Sequence, residues 1–351
     1  MAVDASVRVG ATRLKNPLIC GAGEHLMTRG GIRAALAAGA GAVVAKSFNE
    51  TAAARDQLDR TDYVLLDSRW NPLAWDFAPP PDAQLFCRSG LVQCDPEAWI
   101  ATLAELDAEA RGQNAFVVAS LILADLDRCC SLAAKVEAAG LRILELNIGA
   151  PHGDDAAKGA IVLERAAARV AAIVRAVRAA VRMPLWVKLT GQSEDVAALA
   201  GAARDGGADA VTVAGRVMAF VPDVETQAPM LGTRAAIGGP WALAVTCRWL
   251  AESRRRLGGD FPLIATNGAR SGLDLVRFLL AGASAVQMTS AVITGGFGVV
   301  SESLDELETY LARHKVAARA LVGRAADALQ GYGEQPSRPG YWTKFVPPES
   351  R

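Results

Sequence analysis

Short apolar runs and alanine-rich stretches alternate along most of the chain. Eight runs stand out: Leu18–Gly21, Ala42–Lys46, Phe116–Leu121, Ile143–Ile148, Leu185–Leu189, Ala210–Ala214, Leu263–Asn267 and Ala285–Met288. None shows the polar alternation of a half-exposed strand, so each reads as a strand covered on both faces, as in a parallel sheet. The stretches between them carry helical spacing, as in AAARVAAIVRAVRAAV (166–181) and SGLDLVRFLLAGA (271–283). In the latter Ser271 serves as N-cap and Gly282 as stop. The phrases AALAAGAGAVVAK, ARDGGADAVTV and LLAGASAVQM each run from a helix end through small residues into a strand. Such βα steps predict a closed TIM (β/α)8 barrel, with a doubly wound open sheet as the alternative.

Two stretches interrupt the rhythm. Residues 47–96, after the second strand, hold Trp70, Trp75, APPPD and two cysteines without periodicity. An insertion of that length covers a site or mediates association. Residues 215–237 form a second irregular stretch. The tail, 331–351, is rich in Pro and Gly and is expected to wrap the surface or meet a neighbouring subunit. The organisation predicted is one barrel over residues 1–330 followed by that tail.

Composition narrows the partners. The 351 residues carry no formal net charge, with 51% hydrophobic and 21% charged residues. That balance gives no reason to expect nucleic acid or an acidic membrane surface. No apolar run reaches the roughly 18 residues of a membrane span. The N-terminal stretch lacks the basic-then-apolar layout of a signal peptide. The 6 cysteines are scattered apart from adjacent Cys129 and Cys130, with no CxxC or zinc spacing. Reduced thiols in the cytoplasm, with no bound metal, are therefore expected.

In such a barrel the chemistry sits at the C-terminal ends of the strands. Those ends read Gly21-Ala22-Gly23, Lys46-Ser47, Ser120, Asn147, Lys188, Thr212 to Arg216, Asn267-Gly268 and Thr289-Ser290. Gly268 lets backbone N–H groups approach an anion, and Thr289 and Ser290 add hydroxyls; the last two βα turns are the usual phosphate site of a barrel. Lys46 and Lys188 end otherwise apolar strands, so each ammonium needs an anionic or polar mate. A structural ion pair would satisfy either one. Taken with the phosphate-friendly turns, the pair points to a phosphorylated, partly anionic cofactor.

Six stretches together resemble the class 1 dihydroorotate dehydrogenases and the related flavin domain of dihydropyrimidine dehydrogenase. They are KNPLICGAGEHLM (15–27), VVAKS (43–47), LELNIGAPHG (144–153), LWVKLTG (185–191), AIGGPWAL (236–243) and LIATNGARSGLDLVRFLLAGASAVQMTSAV (263–292). The resemblance implies an FMN-binding barrel. It assigns the FMN phosphate to Gly239, Gly268, Thr289 and Ser290, and the pyrimidine edge of the flavin to Lys188. It places Lys46 near the substrate side, Asn147 against both flavin and substrate, and Ala22 and Gly23 along the isoalloxazine.

The substrate machinery of that family is rewritten here. Its catalytic cysteine, three residues after the strand-four asparagine, is Ala150. Residues 153–165 offer no Cys or Ser in its place. The strand-six asparagine is Gly215, followed by Arg216, and the strand-one asparagine is Cys20. Of the Asn-rich stretch after strand two, Asn71 survives nearby. The groups able to replace the lost base are His152, Asp154 or Asp155 on the same loop, and His25 after strand one; imidazole titrates near neutrality. Arg216 offers a fork of donors for a substrate carboxylate or phosphate, or forms a rim salt bridge.

The function expected is a soluble FMN oxidoreductase. It passes hydride between flavin N5 and a small, cyclic, anionic substrate other than dihydroorotate, through a CH–CH or CH–NH bond. Three alternatives stand beside it: a dihydropyrimidine or dihydroorotate dehydrogenase with a relocated base, a flavin- or phosphate-ligand-binding barrel without redox turnover, and a lyase using Lys188 or Lys46 as a Schiff-base amine. The insertion and tail suggest a homodimer.

Overall fold

The structure is a computed structural model and describes residues 3–154 and 160–350. Eight parallel strands close into a barrel: β1 (Leu18–Cys20), β2 (Ala42–Val44), β3 (Phe116–Ile122), β4 (Leu144–Asn147), β5 (Leu185–Lys188), β6 (Ala210–Val213), β7 (Leu263–Thr266) and β8 (Ala285–Met288). Each lies within, or overlaps, one of the eight apolar runs. Closure, with β8 pairing β1 through Val286 and Leu18, excludes the open doubly wound sheet. Strands as short as three residues persist because both faces are covered, by the barrel interior and by the surrounding helices.

The helices start where their caps direct. Thr28, Asp95, Asp125 and Ser271 each accept a backbone N–H of the first turn through a side-chain oxygen. That removes orphan donors at the helix start and fixes where each loop ends. Arg29–Ala37 and Gly272–Leu280 then bury one apolar face each, including Ile32, Leu36, Leu275 and Phe278, against the barrel.

Register determines which side chains share the mouth. Asn147 pairs with Ile122 on one side and Lys188 on the other, and Lys188 pairs with Thr212. These strand ends are therefore level, and their loops open on a common surface. A hairpin of Val7–Val9 and Thr12–Leu14 packs at the opposite end, with Gly10 against Asp209 at the start of β6.

The two irregular stretches turn out to be one structure. Asp62–Leu66, Pro72–Leu73 and Gln84–Arg88 from the insertion join Val217–Ala219 and Ala235–Gly238 in a five-stranded antiparallel sheet. Its central seam pairs Cys87 with Ala236, Phe86 with Ile237 and Leu85 with Gly238. The sheet has its own small core of Leu66, Phe86, Val221, Leu231, Ala235 and Ile237 and roofs part of the mouth. Past the helix Gly298–His314 the chain runs in short 3-10 turns, and the tail leaves Tyr332, Trp342 and Phe345 exposed. No helix among the described residues is long and apolar enough to cross a membrane.

Candidate active site

A cleft of about 1050 Å³, counting space open to solvent, occupies the mouth. Ala22, Gly23, Lys46, Asn147, Lys188, Arg216, Gly268, Thr289 and Ser290, all singled out in the sequence, line it together with His152.

Beyond β7 the wall is backbone. Asn267 and Gly268 both take positive φ, 68° and 121°. A Cβ on Gly268 would lie 2.7 Å from the backbone of Leu243, so glycine is required by both conformation and space. Asn267 stitches three turns together: Nδ2 donates to the Gly215 carbonyl at 3.3 Å, and Oδ1 accepts from Gly239 N–H at 3.3 Å. Gly239 does not face the main cleft. It lines a smaller side cavity with Pro240, Arg270 and Ala291, which shares Leu85, Ala269 and Ser290 with the main one. The expected phosphate residues thus gather around one corner of the mouth.

The two lysines have the mates that burial demands. Lys188 Nζ donates to Glu145 Oε1 at 3.3 Å inside the barrel. Glu145 is fully buried and accepts three side-chain hydrogen bonds: this one, one from Ser120 Oγ at 3.0 Å and one from Gln287 Nε2 at 2.6 Å. Ser47 Oγ, 2.8 Å from Ser120 Oγ, extends the network to the cleft wall. Lys46 Nζ donates to Glu24 Oε1 at 2.9 Å, and Gly90 N–H from the roof reaches the same oxygen at 3.2 Å. Burial raises the Glu24 pKa, but the Lys46 ammonium beside it prevails and holds it down at about 2. Both lysines sit in ion pairs, the opposite of the unpaired, desolvated setting that yields a nucleophilic amine. The Schiff-base alternative finds no support in this geometry.

The side facing the roof carries the departures. Ala150 is buried in a small apolar cluster with Ala54, Leu91, Ile122 and Ile161, so no proton acceptor stands there. A Cβ on Gly215 would meet nothing within 4 Å, leaving space where a larger side chain would project. The next residue, Arg216, reaches across to the roof. Its guanidinium donates to Cys87 Sγ and, at 2.9 Å, to Ser89 Oγ, both from the roof. Asn147 Oδ1 accepts from Gly149 N–H at 3.1 Å, which steadies the turn leading to His152.

His152 lines the cleft with its Nε2 buried and unpartnered. Burial, then the cations of Arg216 and Lys46, push its pKa down to about 3. The ring is therefore neutral at neutral pH.

Two expected residues are not brought to the cleft. The His25 ring packs behind Gly23 and against Phe297, with Nε2 3.4 Å from Cys20 Sγ and Nδ1 buried without a partner. A loop on the active face does not fix which way a ring turns; beside glycine the space behind the wall was free. Asn71 is exposed in the roof hairpin, where its backbone N–H and Nδ2 bond the Asp67 carboxylate at 2.8 and 3.1 Å. Its role is local turn chemistry. The side chain of Asp154 and all of Asp155 lie outside the described residues. Glu24, Glu145, Cys87 and Ser89 escaped the sequence reading. The demand for a lysine mate is the signal that would have found the two glutamates, since Glu145 lies in the very run that ends at Asn147.

Comparison with known proteins agrees with this architecture. The dihydroorotate dehydrogenase family model matches residues 90–311. The chain is 30% identical over 320 residues to the catalytic subunit of dihydroorotate dehydrogenase B (NAD(+)) of Methanocella arvoryzae, covering 90% of this chain and 96% of that one. The like-named subunit of Methanosarcina mazei is 30% identical over 303 residues, covering 86% and 88%. Among solved structures, Eimeria tenella DHODH in complex with ferulenol superposes with a TM-score of 0.68 at 14% identity, covering 92% of this chain and 88% of that chain. This last likeness speaks to the fold alone. The chain belongs to the dihydroorotate dehydrogenase family of oxidoreductases.

Proposed function

We propose that this protein is an FMN-dependent oxidoreductase acting on a small, cyclic, anionic substrate other than dihydroorotate. One observation carries the cofactor assignment: a glycine-shaped backbone corner between the β7 and β8 turns faces two ion-paired lysines across a single cleft. Gly239, Gly268, Thr289 and Ser290 would hold the phosphate, and Arg270 adds a cation to the same side cavity. Ala22, Gly23, Lys46, Asn147 and Lys188 would hold the ring. The fit is supported by the lining itself: Gly23 and Gly268 leave the wall without side chains, and the Lys46 and Lys188 ammonium groups bring cations to the same cleft. When bound, FMN supplies two-electron hydride chemistry. The protein's own contribution is orientation and charge: Lys188, braced by Glu145, presents a cation fixed in place before any reaction begins.

The altered substrate rests on Ala150, Gly215 and Arg216. Without a base at 150 or an amide at 215, the site lacks the groups its family uses on dihydroorotate, and it gains a guanidinium. A second reading is favoured by the relatives' names: dihydroorotate, or a dihydropyrimidine, oxidised with a relocated base. One experiment separates the two. Purified protein should be yellow and release FMN on denaturation, and anaerobic dihydroorotate should leave the flavin band unbleached. Rapid bleaching by dihydroorotate would establish the second reading. A colourless protein that does not take up FMN would remove both. We further propose a cytoplasmic homodimer. Trp70, Trp75 and Phe77 lie exposed on the roof hairpin, and a monomeric mass in solution would refute the assembly.

A further inference from the structure

We propose that Arg216 anchors the negative charge of the substrate and that His152 becomes the proton acceptor only once that charge is seated. The inference rests on the oxidoreductase reading above and names two residues within it. Arg216 lines the cleft, yet its hydrogen-bond partners are a thiol and a hydroxyl. Neither partner is a carboxylate. Glu24 acts on Arg216 only through space and is already paired to Lys46, so the guanidinium keeps room for an incoming anion.

His152 stands two residues beyond the vacant base position, on the wall of the same cleft. Its turn is braced: Gly153 N–H donates to the Ala150 carbonyl at 3.1 Å, and Gln192 Nε2 to the Pro151 carbonyl at 3.3 Å. A Cβ at Gly153 would clash with Leu163 at 2.3 Å, so the turn has no slack on that side. Nε2 is left with no hydrogen-bond partner, an acceptor aimed at nothing in the protein.

Burial is the first reason the ring stays neutral, and the charges around it are the part a substrate can change. Arg216 after β6, Lys46 at the end of β2 and Arg88 on the roof disfavour the imidazolium; Glu24 after β1 favours it. Glu24 is already paired to Lys46. An anion on Arg216 cancels the leading cation, and the basicity of the ring rises. Nε2 can then take a proton from a substrate C–H or N–H. The electron pair of that bond would become the new double bond, and FMN, held by the residues named above, would supply the two-electron acceptor for the neighbouring hydrogen as hydride, so that the oxidation balances. A neutral analogue does not switch the base on, so charge is read twice, once for binding and once for chemistry.

The test follows the imidazole directly, without turnover. With only 3 histidines in the chain, the His152 ring signal can be assigned in the full-length protein by NMR through loss in His152→Gln. Excess nitrate, a planar oxyanion that stays charged throughout the acid range, should raise the His152 titration by about one pH unit or more, while formamide, a neutral molecule of similar size, leaves it in place. Arg216→Lys should retain the response and Arg216→Gln abolish it, with flavin absorbance and circular dichroism confirming that each variant is folded. A His152 signal indifferent to nitrate, or one that still responds in Arg216→Gln, overturns the proposal. FMN content is recorded on the same sample. A colourless protein therefore counts against the cofactor reading, and a silent imidazole against this one.

Discussion

Beyond β7 the cleft wall is polypeptide backbone, shaped by Asn267 and Gly268, with Gly239 in the side cavity next to it. Beyond β1, β2 and β6 the wall is a set of charged side chains, Glu24, Lys46 and Arg216, tied to the roof through Gly90, Cys87 and Ser89. The first wall is rigid because its φ angles and close contacts permit little else. The second depends on pairings between distant segments; Arg216 and Cys87 are 129 residues apart. A wall made of backbone suits a ligand that stays the same, and a wall made of side chains can be rewritten one residue at a time. The contrast explains how the proposed cofactor half retains family features while the substrate half departs from them.

The comparison can be broken by substitution, and the largest effect should come from the barrel centre between the two walls. Lys188→Ala strands the Glu145 carboxylate with no cation, at a cost of about 3–5 kcal/mol. The urea midpoint of the variant should fall accordingly; an unchanged midpoint would mean the carboxylate finds another partner. Next comes the backbone wall. Gly268→Ala combines an unfavourable φ with a contact to Leu243, and we expect a loss of about 2–3 kcal/mol together with release of FMN. Retention of a full flavin spectrum would show that this corner is not the phosphate cradle.

Acid should then act on the histidines. Both His25 and His152 have folded pKa values of about 3, below their reference value of 6.5. As pH falls through 6.5 the unfolded chain binds protons first, so the stability is complete above that value and is lost as pH drops toward 3. At pH 5 the loss is about 2 kcal/mol for each ring. His25→Leu, away from the cleft, should recover one of the two shares in denaturant titrations at pH 5 and pH 7. Glu24, held at about 2 against 4.5, adds its own loss only below pH 4.5. The smallest effect belongs to the side-chain wall. Gly215→Ala places its methyl in open space, so stability should change by less than about 0.5 kcal/mol while the KM of the true substrate rises. Unchanged kinetics would place that substrate elsewhere.

The same division governs what could be read in advance. All eight barrel strands were legible because each is a continuous apolar run, and strand ends then located Lys46, Asn147, Lys188, Gly268 and Ser290 by position alone. The roof was opaque. Gln84–Arg88 and Ala235–Gly238 carry little pattern of their own and gain meaning only as partners of each other. Glu145 was hidden by the Leu and Ile residues around it, although the lysine it neutralises was conspicuous. His25 and Asn71 were in plausible loops, but neither loop dictates direction: one ring turned inward behind Gly23, and one amide closed its own turn with Asp67. Backbone sites announce themselves locally; side-chain sites await the tertiary fold.

The seam joining Leu85–Cys87 to Ala236–Gly238 also limits how the cleft can breathe. Raising either insertion alone would tear interstrand bonds, so the cover cannot swing like a flap. Small molecules should instead enter and leave sideways along the unroofed rim, and amide protons of the seam should exchange with solvent as slowly as those of the barrel strands.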